Sequence, residues 1–110
     1  MPQTVNEQIL DSFAEHDIDL RKLDGDIRNK VDRILVELGK DLKVLLVRID
    51  PHGATRLDAR KRRTKRLREE ARPLISDAYV RIGRLVRHDL RRLSKVESKA
   101  ANRIVRDAIP

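Results

Sequence analysis

The residues best suited to chemistry in this chain are its basic side chains, because the types that build catalytic or metal sites are scattered. The three histidines, His16, His52 and His88, lie far apart and lack the i,i+4 pairing of a helical metal site. The acidic cluster from Asp17 to Asp26 lacks the ordered spacing and closing glutamate of an EF-hand. The chain has no cysteine, no glycine-rich phosphate loop and no serine elbow. We therefore predict no enzyme activity, no cofactor and no bound metal.

Positive charge is concentrated in the second half of the chain. Residues 1–55 carry 8 Lys/Arg and 11 Asp/Glu, whereas residues 56–110 carry 18 and 7. The excess begins between Arg56 and Arg72, where nine basic residues accompany three acidic ones. Arginine outnumbers lysine there, and its forked guanidinium suits phosphate or carboxylate, so the run predicts contact with an acidic or polyanionic partner. The candidate contact residues are Arg56, Arg60, Arg62, Arg63, Lys65 and Arg66.

The same basic run sets limits on how the chain could contact nucleic acid. It belongs to no recognisable DNA-reading motif, and it has no interleaved aromatic residues on which bases could stack. Contact with DNA would therefore be made through backbone phosphates, without sequence preference. A solvated helix face explains such a run equally well, and the sequence leaves both interpretations open.

The elements that carry these residues are predicted to be helices. With 110 residues, four glycines, four prolines and two aromatic residues, the composition favours a single all-α domain, 1–110. Thr4 to Glu7 fits a capping box, and apolar residues then recur with an eleven-residue period. We expect one helix over 4–49 that continues through Gly25, although Asp24-Gly25-Asp26 is also a turn signal. The apolar stripe, which we expect to be a protein-interaction surface, comprises Leu20, Leu23, Ile27, Val31, Ile34, Leu38, Leu42, Leu45 and Ile49.

A second helical arm is predicted after a turn. Asp50-Pro51-His52-Gly53 should stop the first helix and reverse the chain within 50–55. The second arm, 56–93, resumes helical spacing, and Pro73 should kink or briefly break it. Ser94 to Glu97 matches another capping box, so 95–107 is either a short third helix or a continuation. The predicted fold is a long antiparallel helical hairpin with arms of roughly 65 Å.

A hairpin of two helices would have a thin hydrophobic core. We therefore expect an oligomer, or a partner protein, to complete the fold. The longest apolar run, from Leu42 to Ile49, contains two charges and is too short to span a membrane, so no membrane contact is predicted. The surplus apolar residues that widen the stripe are Leu35, Val36, Val44, Leu46 and Val47.

Four stretches of the chain carry a resemblance to a known family. They are residues 4–11, residues 28–42 with their Leu/Ile ladder, residues 67–82 with the pair Ala78-Tyr79, and residues 93–110. Together they resemble the N-terminal helical segment of tailed-phage minor head proteins, the Mu F-like head-morphogenesis group and related virion proteins.

The resemblance implies a non-enzymatic structural role in a phage virion. The protein would lie in the head near the portal, and in the host cytoplasm during assembly. Its partners would be the portal or other head proteins, with packaged DNA close by. The alternatives are a sequence-nonspecific nucleic-acid-binding protein that uses segment 56–72 directly, and a coiled-coil adaptor.

Overall fold

The computed structural model describes residues 4–49, 57–86 and 90–108. Within these ranges the chain forms four α-helices, α1 Val5–Ala14, α2 Gly25–Ile49, α3 Leu57–Leu85 and α4 Leu90–Ala108, and a short 3-10 helix, Leu20–Lys22. No strand occurs among the described residues, and the predicted all-α class is confirmed. The predicted turn at 50–55 lies outside the described residues, between the end of α2 and the start of α3.

The two long helices, α2 and α3, pack against each other in antiparallel orientation. Glu37 of α2 lies 3.6 Å from Arg81 of α3, and Arg48 of α2 lies 3.2 Å from Glu70 of α3. Residue numbers therefore rise along α2 as they fall along the neighbouring part of α3. The two contacts are eleven residues apart on each helix, which is the period of the apolar stripe.

The first predicted arm, 4–49, is not one helix, so this prediction was wrong. After α1 the chain turns through Asp17, which has φ 63°, and α2 begins at Gly25, which has φ 64°. Glycine adopts positive φ without a Cβ penalty. The turn signal prevailed over the apolar period because the turn lets α1 fold back and bury Ile9 and Phe13. The molecule consequently measures 45 × 26 × 24 Å.

Side chains satisfy backbone groups at the start of α1 and in the turn between α1 and α2. Thr4 Oγ1 accepts the N–H of Glu7 at 3.2 Å, which confirms that half of the predicted capping box. The Arg28 guanidinium donates to the carbonyl oxygens of Arg21 at 2.9 Å and Leu23 at 3.3 Å. The two hydrogen bonds from Arg28 hold the segment between α1 and α2 in one conformation.

The second predicted arm, 56–93, divides at a different place from the one expected. α3 runs through Pro73 without a break, since a proline removes only one intrahelical hydrogen bond. It ends at Leu85, and α4 begins at Leu90 and packs back against α3. The reversal buries an apolar face of α4 that a straight arm would leave in water.

The predicted short helix 95–107 is therefore part of a longer one. Ser94, expected to cap that helix, lies in the interior of α4. The Glu97 carboxylate accepts a hydrogen bond from the Ser76 hydroxyl of α3. Of the two alternatives for Ser94 to Glu97, the start of a short helix is not observed: α4 begins earlier, these residues lie within it, and Glu97 links two helices.

One hydrophobic core joins the four helices. Phe13 of α1 stacks on Tyr79 of α3 with ring centroids 4.3 Å apart, and the Ser12 and Tyr79 hydroxyls are 3.0 Å apart in a buried hydrogen bond. Both α1 and α4 thus cover apolar surface that a simple hairpin would expose. The buried apolar residues are Ile9, Phe13, Leu20, Val31, Ile34, Leu35, Leu38, Leu45, Ala71, Ile75, Ala78, Tyr79, Ile82, Ala100, Ala101, Ile104 and Val105.

Candidate anion-contact surface

The predicted contact residues lie at the start of α3, except for Arg56, which is outside the described residues. Arg60 belongs to the first turn of α3. Farther along, Arg62 and Lys65 are exposed, whereas Arg63 is half-buried. Because the segment is helical, the side chains of Arg62, Arg63 and Lys65 point in several directions around the helix rather than forming one row.

One of the predicted cations is neutralised within the fold. Arg66 Nε lies 3.4 Å from Glu70, and Arg48 Nη2 of α2 lies 3.2 Å from the same carboxylate. Farther along α3, Arg68 donates to the carbonyl oxygen of Arg106 at 3.2 Å. These arginines therefore bind elements of the protein to one another, which leaves them less available to an external anion.

A smaller group of cations remains available, and we call it the α3 basic surface: Lys61, Arg62 and Lys65. All three side chains are exposed, and none has an ion-pair or hydrogen-bond partner within the described part of the chain. Lys61 and Lys65 lie on a shallow groove of about 410 Å³, together with Thr64, Arg68 and Glu69. The sequence predicted Arg62 and Lys65 as contact residues, and Lys61 joins them.

A second group of basic residues was missed by sequence reasoning. It lies where the first half of α2 passes the last turns of α3 and surrounds a shallow groove of about 380 Å³, which we call the α2–α3 groove. The only signal in the sequence is an i,i+3 pair of basic residues on each helix, and nothing local indicates that the two pairs meet. The groove is lined by Lys30, Arg33, Ile34, Arg81, Arg84 and Leu85.

The predicted protein-interaction stripe is mostly interior. Five of its members, Leu20, Val31, Ile34, Leu38 and Leu45, are buried in the core that α2 shares with α3. Three more, at positions 23, 42 and 49, are partly buried against the same core, and only position 27 is exposed. The assignment of this stripe to an external partner was therefore wrong, because the chain's own α3 covers it.

Part of the surplus apolar set does remain on the surface. Leu35 is buried, but Val36, Val44, Leu46 and Val47 are exposed on α2. Val44 is 68% and Val47 is 65% exposed. At 100° per residue, Val36, Val44 and Val47 point away from Leu38 and Leu45, so the outer face of α2 is partly apolar.

Other chemistry is limited in the described part of the chain. No group of three or more His, Asp or Glu side chains there could hold a metal ion, and His52 and His88 lie outside it. None of its helices is both long and apolar enough to cross a membrane. Burial raises the pKa of the Tyr79 hydroxyl above its ordinary value of 10.0, and the hydrogen bond from Ser12 opposes that shift.

No protein-family model, curated protein or solved structure matches the chain. The resemblance to tailed-phage minor head proteins stays a prediction.

Proposed function

We propose that this chain is a non-enzymatic structural protein that binds an anionic partner through the α3 basic surface. In the setting that the resemblance implies, it is a minor head or portal-associated component of a tailed-phage virion. Its partner is then the portal, another head protein or the backbone of packaged DNA.

The observation that carries this proposal is the contrast between neutralised and available cations. Arg21, Arg28, Arg48, Arg66 and Arg103 each lie within 4.0 Å of a carboxylate. The three cations of the α3 basic surface have no such partner in the described residues, although they lie within five consecutive positions. Like charges so close together repel one another and do not stabilise a helix. Their density is better explained by an external anion.

The apolar outer face of α2 supports a second point of contact with protein. Val36, Val44, Leu46 and Val47 are exposed on one helix, and burying them would be favourable in an assembly. We infer that another head protein, or a second copy of the chain, covers this face. Sedimentation of the protein and of a Val44→Lys/Val47→Lys variant tests this. We expect association in the former and a monomer in the latter.

A sequence-nonspecific nucleic-acid-binding protein is the second candidate, and one observation favours it. The chain has only two aromatic residues, and both are buried in the core, so neither is available to stack on bases. Cations without stacking partners suit phosphates, which carry no sequence information. In this case segment 56–72 would act on DNA directly, independent of any virion.

The two candidates are separated by a pair of matched variants. Lys61→Gln/Lys65→Gln removes two charges from the α3 basic surface, and Lys22→Gln/Lys99→Gln removes two from exposed positions on the 3-10 helix and α4, away from the outer face of α2. Binding to random-sequence duplex DNA should be measured over a salt series, and incorporation should be measured in phage heads assembled with the portal. These substitutions leave Arg63 and Arg66 unchanged. Arg63 is half-buried and Arg66 pairs with Glu70, so changing either would alter the stability of the fold as well as its charge.

Each outcome leads to a definite conclusion. If DNA is the partner, the Lys61/Lys65 variant loses affinity for all sequences, and its salt slope falls by about two units. If the portal is the partner, the same variant fails to enter heads while its DNA binding hardly changes. If neither assay distinguishes this variant from the Lys22/Lys99 control, the α3 basic surface is a solvated face and the proposal is wrong.

A further inference from the structure

We propose that the α2–α3 groove is a binding site for the phosphodiester backbone of a nucleic acid. The groove is distinct from the α3 basic surface, since it lies toward the other end of α3. Between the two, the α2–α3 interface presents a third groove, which contains the acidic residues Asp41, Glu69 and Glu70. The inference therefore rests on its own residues and does not require the α3 basic surface to bind DNA.

The charges around the groove are poorly compensated. Four cations, two from each helix, line it, and the described lining includes no acidic side chain. Glu37 lies 3.6 Å from Arg81 and neutralises that one cation. Lys30, Arg33 and Arg84 have no ion-pair or hydrogen-bond partner among the described residues. Three positive charges on two packed helices repel one another, and a bound anion would remove that repulsion.

The base of the groove strengthens the attraction for an anion. Ile34 is buried, with 6% of its surface exposed, and Leu85 is half-buried. Apolar side chains beneath a ring of cations lower the local polarisability and exclude some water, so each charge acts on a ligand with less screening. Long basic side chains can pack their stems on such an apolar surface while their charged heads stay in water.

The spacing of the cations suits a chain of phosphates. Three of the four cations are arginines, whose planar forks match phosphate oxygens. On each helix the two cations are three residues apart, which places their Cβ atoms about 5–6 Å apart. A nucleic-acid strand carries one charge for about 3.4 Å of axis, so adjacent phosphates can meet both cations on a wall. A groove open at the surface, with cations on both walls, suits a strand that passes along it.

The groove should recognise backbone and not sequence. Phe13 and Tyr79, the chain's two aromatic residues, stack on each other inside the core. The groove therefore has no aromatic platform for bases, and no asparagine or glutamine lines it in the described residues. Affinity should then depend on salt and hardly on base composition.

The experiment uses the full chain and three double variants with the same loss of charge. Arg33→Gln/Arg84→Gln neutralises the groove, Lys61→Gln/Lys65→Gln neutralises the α3 basic surface, and Lys40→Gln/Lys43→Gln is the control. Fluorescence anisotropy measures binding to two unrelated duplexes of about 24 base pairs over a salt series. Thermal melting should show that Arg33→Gln/Arg84→Gln stays folded, since it removes only mutually repelling charges.

We expect Arg33→Gln/Arg84→Gln to lower affinity for both duplexes by about tenfold at low salt and to reduce the salt slope by about two units. The Lys40/Lys43 control should change affinity less than about twofold. Equal losses of affinity in Arg33→Gln/Arg84→Gln and in the Lys40/Lys43 control would mean that binding responds to net charge alone. This result would overturn the inference. If only the Lys61/Lys65 variant loses affinity, the groove inference fails while the proposed function stands.

The alternative ligand is an acidic protein segment, and a competition assay tests it. Poly-L-glutamate presents carboxylates at high density, and it should displace the duplex less effectively than unlabelled DNA at the same charge concentration. If poly-L-glutamate competes better, and this advantage disappears in Arg33→Gln/Arg84→Gln, the groove binds carboxylates and the phosphodiester inference is overturned.

Discussion

The α3 basic surface and the α2–α3 groove have similar charge, but they arise in different ways. Lys61, Arg62 and Lys65 are neighbours in sequence and lie on one helix. The groove joins Lys30 and Arg33 of α2 to Arg81 and Arg84 of α3, about fifty positions away. The first surface would persist wherever α3 is helical. The second exists only while α2 and α3 are packed together.

Whether cations lie on one helix or between two helices also affects how many of them are free to bind an external anion. In the basic run, Arg66 shares Glu70 with Arg48, so the sequence overstated the positive charge that this segment offers to a partner. In the groove, Arg81 is the one cation with a carboxylate within 4.0 Å among the described residues, so the sequence understated the positive charge available there. Charge density along a chain is therefore a poor measure of local charge in a helical bundle, because side chains far apart in sequence, such as Glu37 and Arg81, meet across two helices as readily as sequence neighbours.

The largest expected effect comes from separating the two helices that form the groove. Leu38 is 3% exposed in the α2–α3 core, and Leu38→Asp should destabilise the fold by about 3 kcal/mol or more, because it buries an unpaired carboxylate. DNA binding by the groove should be lost, while the weaker attraction of the α3 basic surface is partly retained. Chemical denaturation and anisotropy measure the two results.

Val44→Asp is the matched control for that prediction. It makes the same kind of change on the same helix, but Val44 is 68% exposed. Its effect should stay within about ±0.5 kcal/mol, the ordinary range for surface substitutions. Similar losses of stability in the two variants would contradict the assignment of the core face of α2.

A smaller effect is expected at alkaline pH from Tyr79, which lies on the core side of α3 just before the groove arginines. Burial raises its pKa, so the unfolded chain loses this proton at a lower pH than the folded chain. The stability of the fold should therefore fall as the pH rises above 10.0. Because Tyr79 is the only tyrosine, its ultraviolet absorbance reports the titration directly.

Tyr79→Phe separates this titration from that of the lysines. It should cost about 1 kcal/mol at neutral pH, because the buried hydroxyl of Ser12 loses its hydrogen bond. It should also remove the part of the alkaline loss of stability that Tyr79 causes. An absorbance midpoint in the folded protein equal to that of the urea-unfolded chain would contradict the burial of this residue.

Two glycine substitutions test the turn that begins α2 and sets its position relative to α3. Gly25 has φ 64°, so Gly25→Ala should destabilise the fold by about 1–2 kcal/mol. Gly39 lies inside α2, and a Cβ added there meets nothing within 4 Å. Gly39→Ala should therefore stabilise the fold by about 0.5–1 kcal/mol. Stabilisation by both changes would favour the continuous helix over 4–49.

The smallest expected effect is on stability rather than binding. Removing repelling charges, with Arg33→Gln/Arg84→Gln in the groove or Lys61→Gln/Lys65→Gln on α3, should raise the free energy of unfolding by about 0.2–0.5 kcal/mol. Added salt should diminish both gains, because it screens the repulsion in the original protein. A clear loss of stability in either variant would mean that these side chains stabilise the fold and are not available to bind an external anion.

Local signals in the sequence were sufficient for part of this structure. The eleven-residue period correctly predicted the buried face of α2 from Val31 to Leu45, because helical geometry alone places those residues on one side. The Thr4 cap was also predicted, since it depends on a bond between residues three apart. The run after Arg56 indicated where positive charge is exposed, and Arg62 and Lys65 are indeed on the surface.

Other features depended on contacts between residues distant in sequence. The same apolar period ran through Gly25 and predicted one helix, but the stacking of Phe13 on Tyr79 makes it favourable for α1 to fold back. The end of α3 at Leu85 was missed because the reversal is stabilised by packing of α4 on α3. Neither the Phe13–Tyr79 contact nor the α3–α4 packing can be recognised from residues close together in the sequence.

By itself, the sequence determined that the chain is helical, which face of α2 is apolar and which half of the molecule is basic, because each depends on residues within a few turns of one another. The tertiary structure decided where the helices stop, which arginines are neutralised and which cations form the α2–α3 groove. The reason is that hydrophobic burial is not directional. It fixes which faces must be covered, and only the packed arrangement decides which helix covers them and which charges meet at the edges.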